Sequence, residues 1–233
     1  SILGHSLISA SGPKRARAPG VRMDDLPPID AILLSHNHYD HLDGPSLRHL
    51  ARRRGVAQAI TGLGNGPSLR RAGFEAVNEW DWWDGLEGPE GTRITFVPAQ
   101  HWSSRSPFDR RRTLWGGFVV EAPGITVYFA GDSGYCPHFR EIRQRFGPID
   151  VALLPIWGWG HRLGPGHMDP RGAARAAALL RPDLTVPIHW GTYFPVGMKG
   201  IRGRLLEKPA VAFDRQMGEL APGLGSQVLR PGD

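Results

Sequence analysis

The chain has 233 residues, of which 40% are hydrophobic and 21% are charged, so it is long enough to bury one sizeable core. No run of about eighteen apolar residues occurs, so no membrane-spanning helix is predicted. The only cysteine, Cys136, excludes an internal disulfide. The formal net charge is +6, but the arginines are spread along the chain, so a nucleic-acid-binding surface is not indicated.

Short apolar, β-branched runs alternate with amphipathic segments along the chain. The runs predict strands at Ala31–Leu34, Val56–Ile60, Ala76–Glu79, Arg93–Val97, Gly117–Glu121, Ile125–Phe129, Val151–Leu154 and Leu184–Ile188. The amphipathic segments predict helices at Ser46–Arg54, Pro67–Ala72, His138–Phe146, Pro170–Leu180 and Pro209–Leu220. No linker or compositional break divides the pattern, so residues 1–233 are predicted to form a single domain of layered α/β architecture.

Side chains that can bind metal ions follow several of these predicted strands directly. They are His36 after Ala31–Leu34, His101 after Arg93–Val97, Asp132 after Ile125–Phe129 and His189 after Leu184–Ile188. The carboxyl ends of strands are where α/β sheets generally build their sites. The pattern therefore predicts one site at the edge where these strands end.

The run from His36 to His41 carries the strongest local signal for a metal site. In a tight loop, residues two apart can point the same way, so His36 and His38 could bind one ion while Asp40 and His41 bind a second. Imidazole and carboxylate ligands suit zinc, manganese or iron better than calcium or magnesium. A solvated polar loop is the alternative, but a buried strand leading directly into so many metal-type side chains favours the metal site.

The remaining candidate ligands are weak individually and persuasive together. A single histidine is more often a structural residue than a ligand, and Asp132 lies in a glycine-rich segment typical of a turn. In combination, the first site is predicted to be His36, His38 and His101, the second to be Asp40, His41 and His189, and Asp132 to bridge the two ions.

The sequence resembles the metallo-β-lactamase superfamily, whose H-x-H-x-D-H signature occurs here as His36–His41. Segments at residues 26–30, 98–102, 129–136, 145–148 and 188–192 are similar to N-acylphosphatidylethanolamine-hydrolysing phospholipase D and its bacterial relatives. The resemblance implies an αββα sandwich in one hydrolase domain, with the N-terminal strands shortened or missing. It also implies the same two sets of metal ligands.

The activity that the resemblance implies is that of a dinuclear metal-dependent hydrolase. The expected cofactors are two divalent ions, zinc first, with iron or manganese as alternatives. A metal-bridging hydroxide would cleave a phosphodiester, as in a phospholipase D, or open a sugar-phosphate or acyl lactone, as in a lactonase. A β-lactamase is less favoured because two-zinc enzymes of that kind usually have cysteine where Asp132 stands. A non-catalytic binding module is less favoured because no ligand is missing.

Further residues receive roles in this hypothesis. Asp40 and Asp132 are expected to be catalytic as well as metal-binding, since they would orient the nucleophile and set the spacing of the ions. His167 is similar to a family histidine that lines the substrate site, and it could donate a hydrogen bond to the oxyanion or protonate the leaving group. Trp157, Trp159 and Tyr135 are predicted to contact substrate, although core packing accounts equally well for the two tryptophans.

The expected partner is a small-molecule or lipid-like phosphoester substrate, with no stable nucleic-acid partner. The lone cysteine and the absence of a signal-peptide pattern favour a cytoplasmic protein, with peripheral membrane contact compatible with a lipid substrate. The oligomeric state is not predicted.

Overall fold

The computed structural model describes residues 15–53, 58–157, 164–193 and 204–230. The strands there are β1 (Ala31–Leu34), β2 (Gln58–Gly62), β3 (Val77–Trp80), β4 (Gly85–Glu87), β5 (Arg93–Val97), β6 (Gly117–Ala122), β7 (Ile125–Phe129), β8 (Val151–Pro155), β9 (Leu184–Ile188) and β10 (Gly225–Ser226). The helices are α1 (Gly44–Ala51), α2 (Gly66–Ala72), α3 (His138–Phe146), α4 (Pro170–Leu180) and α5 (Arg204–Leu220).

The strands form two sheets, with helices on the outer face of each. The smaller sheet has the order β1-β2-β3, and the larger has the order β10-β9-β8-β7-β6-β5-β4. Leu47, Leu50 and Leu69 of α1 and α2 pack on the smaller sheet, while α3, α4 and α5 contribute to the core on the larger one. Because Ile60 packs with Phe96 and Phe118 between the sheets, the layers are αββα, which confirms the predicted fold class.

Strand direction brings several strand ends to one edge of the larger sheet. β5 and β7 are both antiparallel to β6, so they run in the same direction. β7 is parallel to β8, and β8 is parallel to β9. The carboxyl ends of β5, β7 and β9 therefore lie at the same edge, where an α/β sheet can build a site.

The predicted bounds of β1, β5, β7, β9, α3 and α4 are confirmed, and the other predicted elements shift at one or both ends. The predicted start of α1 at Ser46 was wrong because the helix begins at Gly44. Its N-cap is Asp43, whose carboxylate accepts the backbone N–H of Ser46 at 3.0 Å.

The predicted start of α5 at Pro209 was also wrong. The helix begins at Arg204 and contains the proline in its interior. Leu206 is buried and Glu207 pairs with Arg17 at 2.9 Å, so tertiary contacts anchor the turn that precedes the proline. Proline alone would favour the first helical position, and packing overrides that preference here.

Strand β2 begins at Gln58 and runs to Gly62, whereas the sequence predicted Val56–Ile60; residues 54–57 lie outside the described residues. Pairing with β1 and β3 sets the observed range. The short strands β4 and β10 were not predicted, because they pair at the two edges of the larger sheet and carry no apolar alternation.

The predicted shortening of the N-terminal strands falls largely on residues 1–14, which lie outside the described residues. That residues 1–233 form a single domain stays a prediction. Among the helices of the described residues, none combines the length and the apolar character that crossing a membrane requires.

His138 at the start of α3 is a buried polar residue in the core of the larger sheet. Its ring packs on Phe139 with centroids 4.0 Å apart, and neither ring nitrogen has a hydrogen-bond partner within the described residues. Burial lowers the pKa of His138 to about 4, because the core disfavours the charged imidazolium.

We expect the free energy of unfolding to depend less on pH in the variant His138→Phe than in the wild type. The unfolded chain takes up a proton on His138 near pH 6.5 and the folded chain only near pH 4, so lowering the pH across this window favours unfolding. The free energy of unfolding should therefore fall more steeply from pH 6.5 to 4 in the wild type than in the variant. Urea denaturation at several pH values measures this, and parallel curves would contradict it.

Candidate metal centre

The side chains that follow β1, β5, β7 and β9 converge on one place, as their strand-end positions predicted. They form two groups in which the possible ligand atoms lie within 4.8 Å of one another. The first group is His36, His38, His101 and Asp132, and the second is Asp40, His41, Asp132 and His189. The structure thus brings together every ligand predicted from the sequence, and places Asp132 in both groups.

The first group is built from three imidazole rings in contact. Nε2 of His36 lies 2.9 Å from Nδ1 of His38, and Nε2 of His101 lies 3.1 Å from the same Nδ1. Oδ2 of Asp132 lies 3.8 Å from Nε2 of His36 and 3.7 Å from Nε2 of His101. Nitrogen and oxygen atoms that face one another in this way form a suitable donor set for a divalent cation.

Hydrogen bonds on the far side of the rings orient two of these histidines. The hydroxyl of Ser35 lies 3.0 Å from Nδ1 of His36. Nδ1 of His101 donates to the carbonyl oxygen of Gly166 at 2.7 Å, which leaves the lone pair of its Nε2 facing the cluster. Such outer contacts fix the tautomer and the ring orientation of metal-binding histidines.

The second group pairs two imidazoles with two carboxylates. Nε2 of His41 lies 3.2 Å from Oδ2 of Asp132 and 3.5 Å from Oδ2 of Asp40. Nε2 of His189 lies 3.2 Å from Oδ2 of Asp40 and 3.4 Å from Oδ1 of Asp132. The side chain of Asp40 is 41% exposed and that of Asp132 only 2%, so Asp40 is the carboxylate of this group that reaches solvent.

Two unusual backbone conformations place the ligands. His189 has a φ of 57°, a left-handed conformation that is strained for a residue with a side chain and that turns its ring out of strand β9. Gly131, just before Asp132, has a φ of 60°, and a Cβ there would lie 2.8 Å from the carbonyl oxygen of Gly116. Glycine is therefore required beside Asp132 for both conformation and space.

The histidines of the first group favour the neutral form, which is the form that binds metal ions. Burial lowers the pKa of His36 well below its usual value and also lowers that of His38. For His101, burial lowers the pKa to about 4. These rings therefore present free lone pairs at neutral pH.

In the second group the pKa values of the histidines are raised rather than lowered. Burial disfavours the charged form of His41, but Asp132 and Asp40 outweigh it and raise the pKa of His41 to about 10. For His189, burial lowers the pKa, but the nearby Asp132 carboxylate outweighs burial and the pKa is raised. The carboxylates of this group therefore favour positive charge, and a divalent cation would satisfy them in the same way.

A divalent cation fits this arrangement of donors. Oδ1 of Asp132 is buried, makes no hydrogen bond within the described residues and faces Nε2 of His189 at 3.4 Å, so a cation between them would compensate the buried carboxylate. Neutral imidazole nitrogens and carboxylate oxygens are the ligands preferred by zinc and related transition metals.

His167 lies beside the cluster but in neither group of ligands. Its Nδ1 is 3.8 Å from Oδ2 of Asp132, and its ring centroid is 4.8 Å from that of His101. The side chain is 18% exposed and its Nδ1 has no hydrogen-bond partner within the described residues. The position is therefore that of a group that could face a bound substrate.

The other predicted substrate contacts are less clearly placed. Trp157 is partly buried and packs against the core of the larger sheet, and Trp159 lies outside the described residues. Tyr135 is 37% exposed, and the guanidinium of Arg175 lies 4.2 Å from the centre of its ring. A contact of these residues with substrate stays a prediction.

Three residues near the cluster, Trp102, Arg105 and Arg110, had no role in the predicted site. Trp102 packs its ring against His38 at 4.3 Å, and Arg110 lies over Trp102 at 5.1 Å. Arg105 donates hydrogen bonds to the carbonyl oxygens of Asn37 and Leu42. Trp102 could have been suspected from its position after His101, but no local signal marks Arg105.

Comparison with known proteins assigns the family. Residues 4–190 match the model of the beta-lactamase superfamily domain. A metal-dependent hydrolase of Pyrococcus furiosus is 31% identical over 210 residues, covering 84% of this chain and 86% of that protein. The chain belongs to the beta-lactamase superfamily.

A second relative is more specific in name but much longer. The N-acyl-phosphatidylethanolamine-hydrolyzing phospholipase D 1 of Caenorhabditis elegans is 34% identical over 203 residues, covering 82% of this chain and 57% of that protein. This chain thus spans little more than half of its length. A metallo hydrolase of Ignicoccus hospitalis has the same fold, with a TM-score of 0.66, 24% identity and coverage of 88% of this chain and 77% of the other.

Loss of a residue that only orients a metal ligand weakens metal binding by at most roughly 100-fold. We expect Asp132→Ala to weaken zinc binding by more than this. The substitution removes the carboxylate shared by both groups of ligands. Metal content after gel filtration and isothermal titration with zinc measure the loss. The matched control is Asp24→Ala, whose carboxylate lies on the surface beside His49. Equal zinc binding in the wild type and Asp132→Ala would refute the assignment.

Proposed function

We propose that this chain is a hydrolase that uses two divalent ions, with zinc as the proposed metal, to cleave phosphodiesters. The observation that carries the proposal is the place of Asp132, whose carboxylate belongs to both groups of possible ligands. His36, His38 and His101 would complete one ion's ligands, and the second group would complete the other's. Iron or manganese would suit the same donor atoms, so supply decides among these metals.

Divalent ions held by these residues would supply Lewis acidity and lower the pKa of bound water toward neutrality. Asp132 holds the spacing of the two groups, because one buried carboxylate faces His41 and His36 together. Asp40, which is partly exposed, would orient the nucleophile. His167, whose Nδ1 lies 3.8 Å from Oδ2 of Asp132, would donate a proton to the leaving group.

A lipid-like phosphodiester is the proposed substrate class. The name of the nematode relative describes hydrolysis of an N-acylated phosphatidylethanolamine by a phospholipase D. The loop after His101 carries Phe108, which is 84% exposed, close in sequence to the exposed arginines at residues 110–112. An exposed aromatic ring next to cationic side chains suits an amphipathic anionic substrate at a lipid surface.

The zinc-loaded chain should hydrolyse bis(p-nitrophenyl) phosphate and a micellar diacyl phosphodiester faster than a chromogenic lactone or cephalosporin. Chelation should abolish turnover and added zinc should restore it, because the nucleophile depends on the metal. The Asp132→Ala variant serves as the inactive control. Turnover that resists chelation would overturn the metal mechanism, and turnover of the lactone alone would assign a lactonase.

For His167→Ala we expect kcat to fall by about 10²- to 10⁴-fold with zinc binding unchanged, because a proton donor is lost and no ligand is. The loss should be larger for a phosphodiester with an alkyl leaving group than for a nitrophenyl ester, since nitrophenolate needs no proton. His49→Ala is the control, because its ring lies on α1 beside Asp24. An equal loss on both substrates would argue against the proton-donor role.

A further inference from the structure

Arg105 contacts both ends of the loop segment that carries His38, Asp40 and His41. One nitrogen of its guanidinium, Nη1, donates to the carbonyl oxygen of Asn37 at 2.8 Å and to that of Leu42 at 2.9 Å. These carbonyls lie on either side of the segment from His38 to His41. A single side chain thus ties together the two ends of the ligand loop.

Tyr39 completes the contact from inside the loop. The guanidinium carbon of Arg105 lies 4.0 Å from the centre of the Tyr39 ring, and the Tyr39 hydroxyl donates to the backbone carbonyl of Arg105 at 2.8 Å. Tyr39 stands between His38, a member of the first group, and Asp40, a member of the second. Fixing this ring therefore constrains one ligand of each group.

Arg105 is itself held in place by its own loop. The carboxylate of Asp109 accepts the backbone N–H of Arg105 at 2.9 Å and that of Ser106 at 2.8 Å, together with the hydroxyl of Ser104 at 2.9 Å. The backbone from which the Arg105 side chain extends is therefore held in a hydrogen-bonded turn. Planar guanidinium groups suit such a role, because they donate and stack in one fixed geometry.

Electrostatic attraction to the site does not account for this placement. A guanidinium close to the loop that would bind two divalent cations adds like charge, and partial burial adds a desolvation cost. The hydrogen bonds to two carbonyls and the ring contact with Tyr39 offset that cost. Arg105 therefore acts by fixing the positions of the loop backbone and the Tyr39 ring, and not by its charge.

We propose that Arg105 is a positioning residue for both groups of metal ligands, acting through Tyr39 and the backbone of the ligand loop. This inference rests on the proposed function, since it needs the loop to bind metal. It predicts that loss of the guanidinium disorders the ligands of both ions without removing any ligand.

The test compares Arg105→Gln with Arg145→Gln. Arg145 lies over the ring of Trp83 at 3.9 Å, so its substitution removes a similar cation–π contact on α3, outside the ligand loop. We expect Arg105→Gln to weaken zinc binding by about 10- to 100-fold and to change the visible spectrum of the cobalt-substituted protein. On bis(p-nitrophenyl) phosphate, kcat should fall while KM stays nearly constant. The control should match the wild type in all three.

Two further variants separate positioning from general stability. Tyr39→Phe keeps the ring contact and should retain most metal affinity, whereas Arg105→Lys keeps the charge but loses the planar stacking group and should not restore it. The melting temperature of metal-free Arg105→Gln should fall no further than that of Arg145→Gln. Wild-type zinc affinity and cobalt spectrum in Arg105→Gln would overturn the proposal. Failure of the wild type itself to bind zinc would instead overturn the proposed function.

Discussion

A buried carboxylate among imidazole rings is the constraint on which the rest of this structure depends. Asp132 is almost fully buried, and His41 and His189 lie within 3.4 Å of its oxygens. Burying such a charge costs several kcal/mol unless opposite charges or a cation compensate it. The strained conformation of His189 and the glycine at position 131 are the local consequences, because each brings a group into the small space around that carboxylate.

The same cluster joins the two sheets. The loop that begins with His36 follows β1 of the smaller sheet, while His101, Asp132 and His189 follow strands of the larger one. Next to the cluster, the backbone N–H of Gly116 donates to the carbonyl of Ser35 at 3.0 Å across the two sheets. Metal affinity and the packing of the sheets are therefore expected to be linked, since a ligand set drawn from both sheets forms only when they are docked.

Much of the fold could be predicted from local patterns. Strands β1, β5, β7 and β9 were predicted with their observed ends. Each is a short run rich in apolar residues that polar or turn-forming residues follow within two positions, so the run marks the strand along the chain. Helix α4 was predicted from its cap, and Asp169 does accept the N–H of Gly172 at 2.7 Å. The start of α5 and the edge strand β10 could not be predicted, because a distant ion pair and backbone pairing respectively decide them.

The sequence by itself determined the residue types and spacing of the candidate ligands, because the H-x-H-x-D-H run and the polar residues after strands are local features. For His167, only the resemblance to a known family indicated a role at the substrate site. Only the tertiary structure decided that Asp132 belongs to both groups and that His167 lies at their rim. It alone showed Arg105, 68 residues from Asn37 along the chain, bound to the ligand loop. Such contacts depend on how strands and loops pack in three dimensions, and no periodicity along the chain records them.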